Sequence, residues 1–129
     1  MDIKNYSKKV STYETLFVIL SLGLKDRKSA LWDYEKLHQG IRRLKANERY
    51  EELLKCFSFD NLGISAISND IVNSLFTLTN SNLLLLIFSE DESYTINCSE
   101  EKKKRIFSKF SNKDLEILSE ITEEIKKNN

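Results

Sequence analysis

Apolar residues along this chain recur mostly at steps of three and four, the period of helices that bury one face. The clearest run is Leu31, Tyr34, Leu37, Ile41 and Leu44, with Lys36, Arg42, Arg43 and Lys45 on the opposite side. Ahead of it, Leu16, Phe17, Ile19, Leu20 and Leu24 give a helix that is apolar around most of its girth, which should place it at the centre of the fold. Ser11 and Glu14 have the spacing of a capping box that would start this helix, and Gly23 is its expected end. Asp26 is the expected cap of the second helix. Asn47 is that of a third, with Tyr50, Leu53, Leu54 and Phe57 turned inward. The break at 45–47 leaves open a single long rod in place of helices two and three.

After Phe57 the texture changes. Residues 58–68 are rich in serine and asparagine and hold Gly63, which reads as a loop. Ser68 or Asn69 then caps a helix carrying Ile71, Val72, Leu75, Phe76 and Leu78, with Asn80 to Asn82 as its exit. Leu83 to Phe88 is wholly apolar and too short for a good helix, Ser89 to Ser93 is a polar turn, and Tyr94 to Asn97 alternates as a strand should. Ser99 caps a helix with a basic opening, Lys102 to Arg105, followed by Ile106, Phe107 and Phe110. Ser111 with Asp114 starts the last helix, whose stripe is Leu115, Leu118, Ile121 and Ile125. The predicted fold is mainly α within the α+β class: five or six helices with one two-stranded β-hairpin, in a single domain over 1–129.

Composition supports a helical, globular reading. Of 129 residues, 40% are apolar and 31% charged, with no proline and only three glycines to break helices. Twenty basic residues balance twenty acidic ones, which excludes a histone-like cation and an acidic DNA mimic. The balance is uneven, however. Residues 1–57 carry 12 basic and 8 acidic side chains, whereas 58–129 carry 8 and 12. Between Lys55 and Lys102 lie 46 residues without a single lysine or arginine. This pattern describes either a molecule with one basic and one acidic face, or ordinary solvated helix surfaces such as a Glu51 to Lys55 pairing. The apolar stretch 16–24 is too short to cross a bilayer and runs into Lys25, Asp26, Arg27 and Lys28 rather than a cleavage site, so the expected location is the cytoplasm. Cys56 and Cys98 then read as reduced thiols. Heavy use of lysine, asparagine, isoleucine and serine suggests a low-GC bacterium, a phage or another mobile element.

The order of helices, helix, hairpin and closing helices, carried by residues 65–97, resembles a winged helix. Small bacterial regulators and antitoxins, and accessory components of bacterial defence operons, use that arrangement. The resemblance implies that the helix beginning at Asn69 is a recognition helix, offering Asn69, Asn73 and Ser74 to base edges, and that Glu90, Asp91 and Glu92 tip the wing. This chain departs from the pattern in its charge. Phosphate neutralisation supplies most DNA affinity, and the stretch 56–101 offers no cation for it.

Motifs for catalysis are thin. His38 is the sole histidine and sits at the edge of an apolar stripe without a partner motif, which favours a structural role. Gly23, Gly40 and Gly63 are scattered and form no phosphate cradle, and nothing has metal-ligand spacing. No metal, cofactor or catalytic residue is therefore expected, and the chain reads as something other than an enzyme. The expected function is a protein–protein interaction module or small regulator of a bacterial or phage-borne system, without membrane association. Its candidate surfaces are the acidic Glu90, Asp91 and Glu92 and the basic Arg42, Arg43, Lys45 and Arg49. The alternative is a DNA-binding regulator or antitoxin, as a homodimer, using those cations with Asn69 and Asn73. Lys102 to Arg105 form a further candidate phosphate contact at a helix start.

Overall fold

The computed structural model describes residues 10–23, 32–59, 67–87, 93–96 and 98–127. Its first helix, α1 (Thr12–Leu22), opens with the capping box read from the sequence. Ser11 Oγ accepts from the Glu14 amide, and Glu14 Oε1 accepts from the Ser11 amide at 3.0 Å. Every residue from Glu14 to Ser21 is buried, so α1 is the axle of the structure. Gly23 closes it with a right-handed backbone at φ −74°.

Two short helices follow, α2 (Tyr34–Lys45) and α3 (Glu48–Leu54). They are separate helices rather than one rod, because the Asn47 side chain turns back to accept from the Arg49 amide at 2.9 Å and caps α3. α2 starts at Tyr34, and the expected cap Asp26 lies outside the described residues. Trp32–Asp33 instead form a strand, β1.

The next helix, α4 (Asn69–Asn80), is capped by Ser68, whose Oγ accepts from the Ile71 amide. It ends in a Schellman motif: the Leu83 amide reaches Leu78 O at 2.9 Å, the Asn82 amide reaches Thr79 O at 3.1 Å, and Asn82 takes φ +62°. The motif turns Leu83 and Leu84 back into the core. Strands β2 (Leu84–Ile87) and β3 (Ser93–Ile96) pair antiparallel, with Leu84 opposite Ile96 and Ile87 opposite Ser93. β1 adds to the far side of β3, Trp32 opposite Tyr94. Helices α5 (Glu100–Phe107), capped by Ser99, and α6 (Asn112–Lys127) complete the chain.

These elements correct the predicted fold class. The body is a packing of six helices, and the core is helix on helix: among described side chains, Leu84 is the only strand residue that belongs to it. The expected α+β domain with a free two-stranded hairpin, winged-helix-like, does not fit. The short strands lie in the order β1–β3–β2 and are tied at one edge to the entrance of α2. A two-residue strand has no periodicity to detect, so Trp32 and Asp33 gave no warning of that tie.

The core gathers Leu16 to Leu20 of α1, Leu37 and Ile41 of α2, Leu54 and Phe57 around the end of α3, Ile71, Leu75 and Leu78 of α4, and Leu118, Ile121 and Ile125 of α6. α6 approaches α1 so closely that Thr122 Oγ1 lies 2.9 Å from Ile19 O, as well as from Leu118 O in its own helix. It approaches α2 equally closely at Gly40, where an added Cβ would meet Ile125 Cγ1 at 3.0 Å and Cγ2 at 3.2 Å.

Two stability changes follow. Gly40→Ala should lower stability by about 1 kcal/mol in denaturant unfolding, because a β-branched, buried Ile125 cannot turn aside and overpacking outweighs the gain in helix propensity. A rise in the unfolding midpoint would refute the close approach. Asn82→Gly should raise stability by about 0.5 kcal/mol and Asn82→Val lower it by at least about 1 kcal/mol, since only the left-handed backbone distinguishes them. Equal midpoints would refute that geometry.

Candidate functional site

Helix α4 is held firmly at its start. The Ser68 amide donates to His38 Nδ1 at 3.0 Å, which ties the cap of α4 to the buried side of α2. Asp70, in the first turn, accepts from the Ser58 amide at 2.7 Å and fixes the segment that leaves α3. Ile71, Ser74, Leu75 and Leu78 face inward, and α4 packs along α1. The opposite face presents Asn69, Asn73, Phe76 and Asn80 at steps of four, three and four, all exposed. Phe76 is 67% exposed. No cation lies anywhere on α4, and its only acid, Asp70, is committed to Ser58.

Asn69 and Asn73 therefore stand together at the surface, as a base-reading or partner-reading pair would require. Phe76, one of the apolar residues that this helix carries, stands on the same outer face between Asn73 and Asn80. Its signal was present: Val72 and Phe76 lie about 100° round the helix from the Ile71, Leu75 and Leu78 stripe, which by itself satisfies a core-facing helix.

The basic candidates are distributed differently from a free cationic face. Arg49 makes a two-pronged ion pair with Glu120, Nε to Oε1 and Nη2 to Oε2, both at 2.6 Å. The hydrogen bonds from Arg49 hold the Glu120 carboxyl below its ordinary range. Lys45 Nζ donates to Phe57 O at 2.6 Å and lies 6.0 Å from the Phe59 ring centre. Arg43 Nη2 reaches Glu124 O at 3.4 Å. These three close α2 and α3 onto α6 and onto the segment after α3. Arg42 is exposed with no partner among the described residues. Glu90, Asp91 and Glu92 lie outside the described residues.

His38 is fully buried. Its Nδ1 accepts a hydrogen bond from the Ser68 amide, so the neutral ring carries its hydrogen on Nε2, and burial pushes its pKa from 6.5 down to about 4. It is a clasp between two helices. Burial likewise raises the pKa of the Cys56 and Cys98 thiols, both half-buried and outside any disulfide. Among the described residues, no group of three histidine, cysteine or acidic side chains is placed to hold a metal. No helix among them is long and apolar enough to cross a membrane.

Comparison with family models, with curated proteins and with solved structures finds no match for this chain. Nothing in these comparisons shows a winged-helix domain.

The clasp has a pH signature. The native state resists protonation of His38 down to about pH 4, whereas the unfolded chain protonates it near 6.5. The unfolded state binds more protons in that window, so stability is lost as pH falls through it, by about 3 kcal/mol in all. A His38→Asn variant, which keeps an acceptor but does not titrate, should show a flat melting temperature between pH 6.5 and 5 where the wild type declines. Parallel declines would show that His38 does not act as described.

Proposed function

We propose that this protein is a non-enzymatic protein-interaction module, a small regulator or subunit of a bacterial or phage-borne assembly in the cytoplasm, which docks through the outer face of α4. One observation carries this reading: a phenylalanine 67% exposed at the middle of a helix face that is otherwise amide and free of charge. Single exposed apolar residues are common on surfaces. Here the aromatic sits on a rigid, buried-backed helix with exposed asparagines on either side, the composition of an interface centre: aromatic anchor, uncharged surround, no lysine or glutamate to desolvate.

The DNA-binding alternative draws on the same helix and is weaker. Asn69 and Asn73 could meet base edges, but α4 brings no cation to a phosphate, and Arg43, Lys45 and Arg49 are engaged within the molecule.

Affinity capture from the source cells with wild-type protein and with Phe76→Asp decides between them. The substitution is on an exposed position and should leave the melting temperature within about 2 °C. The wild type should retain a protein that Phe76→Asp loses at least about tenfold, the scale of one interface anchor. Retention of the same proteins by both, or a salt-sensitive shift of DNA by both, would overturn the proposal. Loss of a dimer on light scattering would identify the partner as a second copy.

A further inference from the structure

A groove of about 260 Å³ opens between the start of α1, the junction of α4 with β2, and α5. Its apolar wall is Leu83 and Ile106, both buried, and Tyr13 stands beside them half-buried. Its charged wall comes from the basic cluster of α5. Lys102 and Arg105 lie one turn apart on the helix, and Lys109 follows four residues on, so that all three meet the groove on one side.

Among the described residues that line this groove the charges do not cancel. Glu14 is the one acid among them, and both of its oxygens are committed. Oε1 takes the Ser11 amide and hydroxyl, and Oε2 takes Lys109 Nζ at 2.5 Å. Burial would raise its pKa, but the hydrogen bonds from Lys109 and Ser11 outweigh that and hold it ionised below its usual range. Glu14 thus neutralises Lys109 and leaves two positive charges, Lys102 and Arg105, both exposed and neither paired with a described acid.

We propose that this groove binds a phosphate monoester carried on a small apolar or aromatic body. A phosphate monoester bears about −1.5 to −2 charges near neutral pH, which matches the uncompensated pair. The Arg105 guanidinium offers a planar fork to two phosphate oxygens and the Lys102 ammonium a mobile point charge. Leu83, Ile106 and the Tyr13 ring supply the apolar surface that inorganic phosphate would leave wet. This site is independent of α4 docking and stands or falls separately from it.

Phenyl phosphate, inorganic phosphate and phenol, titrated into ¹⁵N-labelled full-length protein at low ionic strength, test the proposal. Phenyl phosphate should give saturable shifts at the Tyr13, Leu83 and Ile106 amides and bind more tightly than either fragment. Arg105→Gln and Lys102→Gln, both at exposed positions, should each weaken it by about tenfold with the melting temperature unchanged, while Lys113→Gln on α6 should not. Absence of saturable shifts, or equal binding by Arg105→Gln, would overturn the site. Equal affinity for inorganic phosphate would overturn the apolar part of the ligand.

Discussion

The structure depends on the complete burial of α1. A helix apolar around most of its girth cannot lie on a surface, and here eight consecutive residues from Glu14 to Ser21 are removed from water. The remaining helices must then supply cover on all sides, and they do so chiefly through α4 and α6. Where helices approach most closely the side chain is small or a hydroxyl: Thr122 of α6 meets the α1 backbone, and Gly40 of α2 meets Ile125 of α6. Burying α1 also means burying Glu14, and a buried carboxylate is tolerated only when its oxygens are satisfied and its charge is met.

Most other polar contacts between helices are clasps made to the backbone. His38 holds the Ser68 amide, Asp70 holds the Ser58 amide, and Lys45 and Arg43 reach carbonyls at 57 and 124. Such contacts position the ends of helices, where unpaired amides and carbonyls are available. They also change what the charge of the first half means. Three of four cations that form a basic face in the sequence serve to join α2 and α3 to their neighbours. Of the four, only Arg42 is left without a partner among the described residues.

Much of the helical framework was legible from periodicity and capping chemistry. Ser11 with Glu14, Asn47, Ser68, Ser99 and Ser111 each mark a helix start, because these side chains satisfy amides locally and need no knowledge of the rest of the fold. The fold class was less legible. Strands β2 and β3 are adjacent in sequence, whereas β1 is 60 residues away from β3 and two residues long, too short for any local pattern. The candidate surface was legible only in part. Apolar identity alone does not say which face Phe76 takes, whereas Ile71, Leu75 and Leu78 already complete a buried stripe without it. The partners of Arg49 and Lys45 were hidden because Glu120 and the Phe57 carbonyl are brought to them by packing, not by spacing.

Glu14 joins two regions that otherwise have no chemistry in common. One oxygen holds the first turn of α1 closed through Ser11, and the other holds Lys109 at the edge of the groove beside α5. The two sites therefore share a single carboxylate, and thermodynamic linkage between them is reciprocal. Removing the charge of Lys109 would raise the proton affinity of Glu14 and weaken the acceptor that the Ser11 amide uses. The entrance of the central helix is thus tied, through one carboxylate, to a residue 95 positions later in the chain.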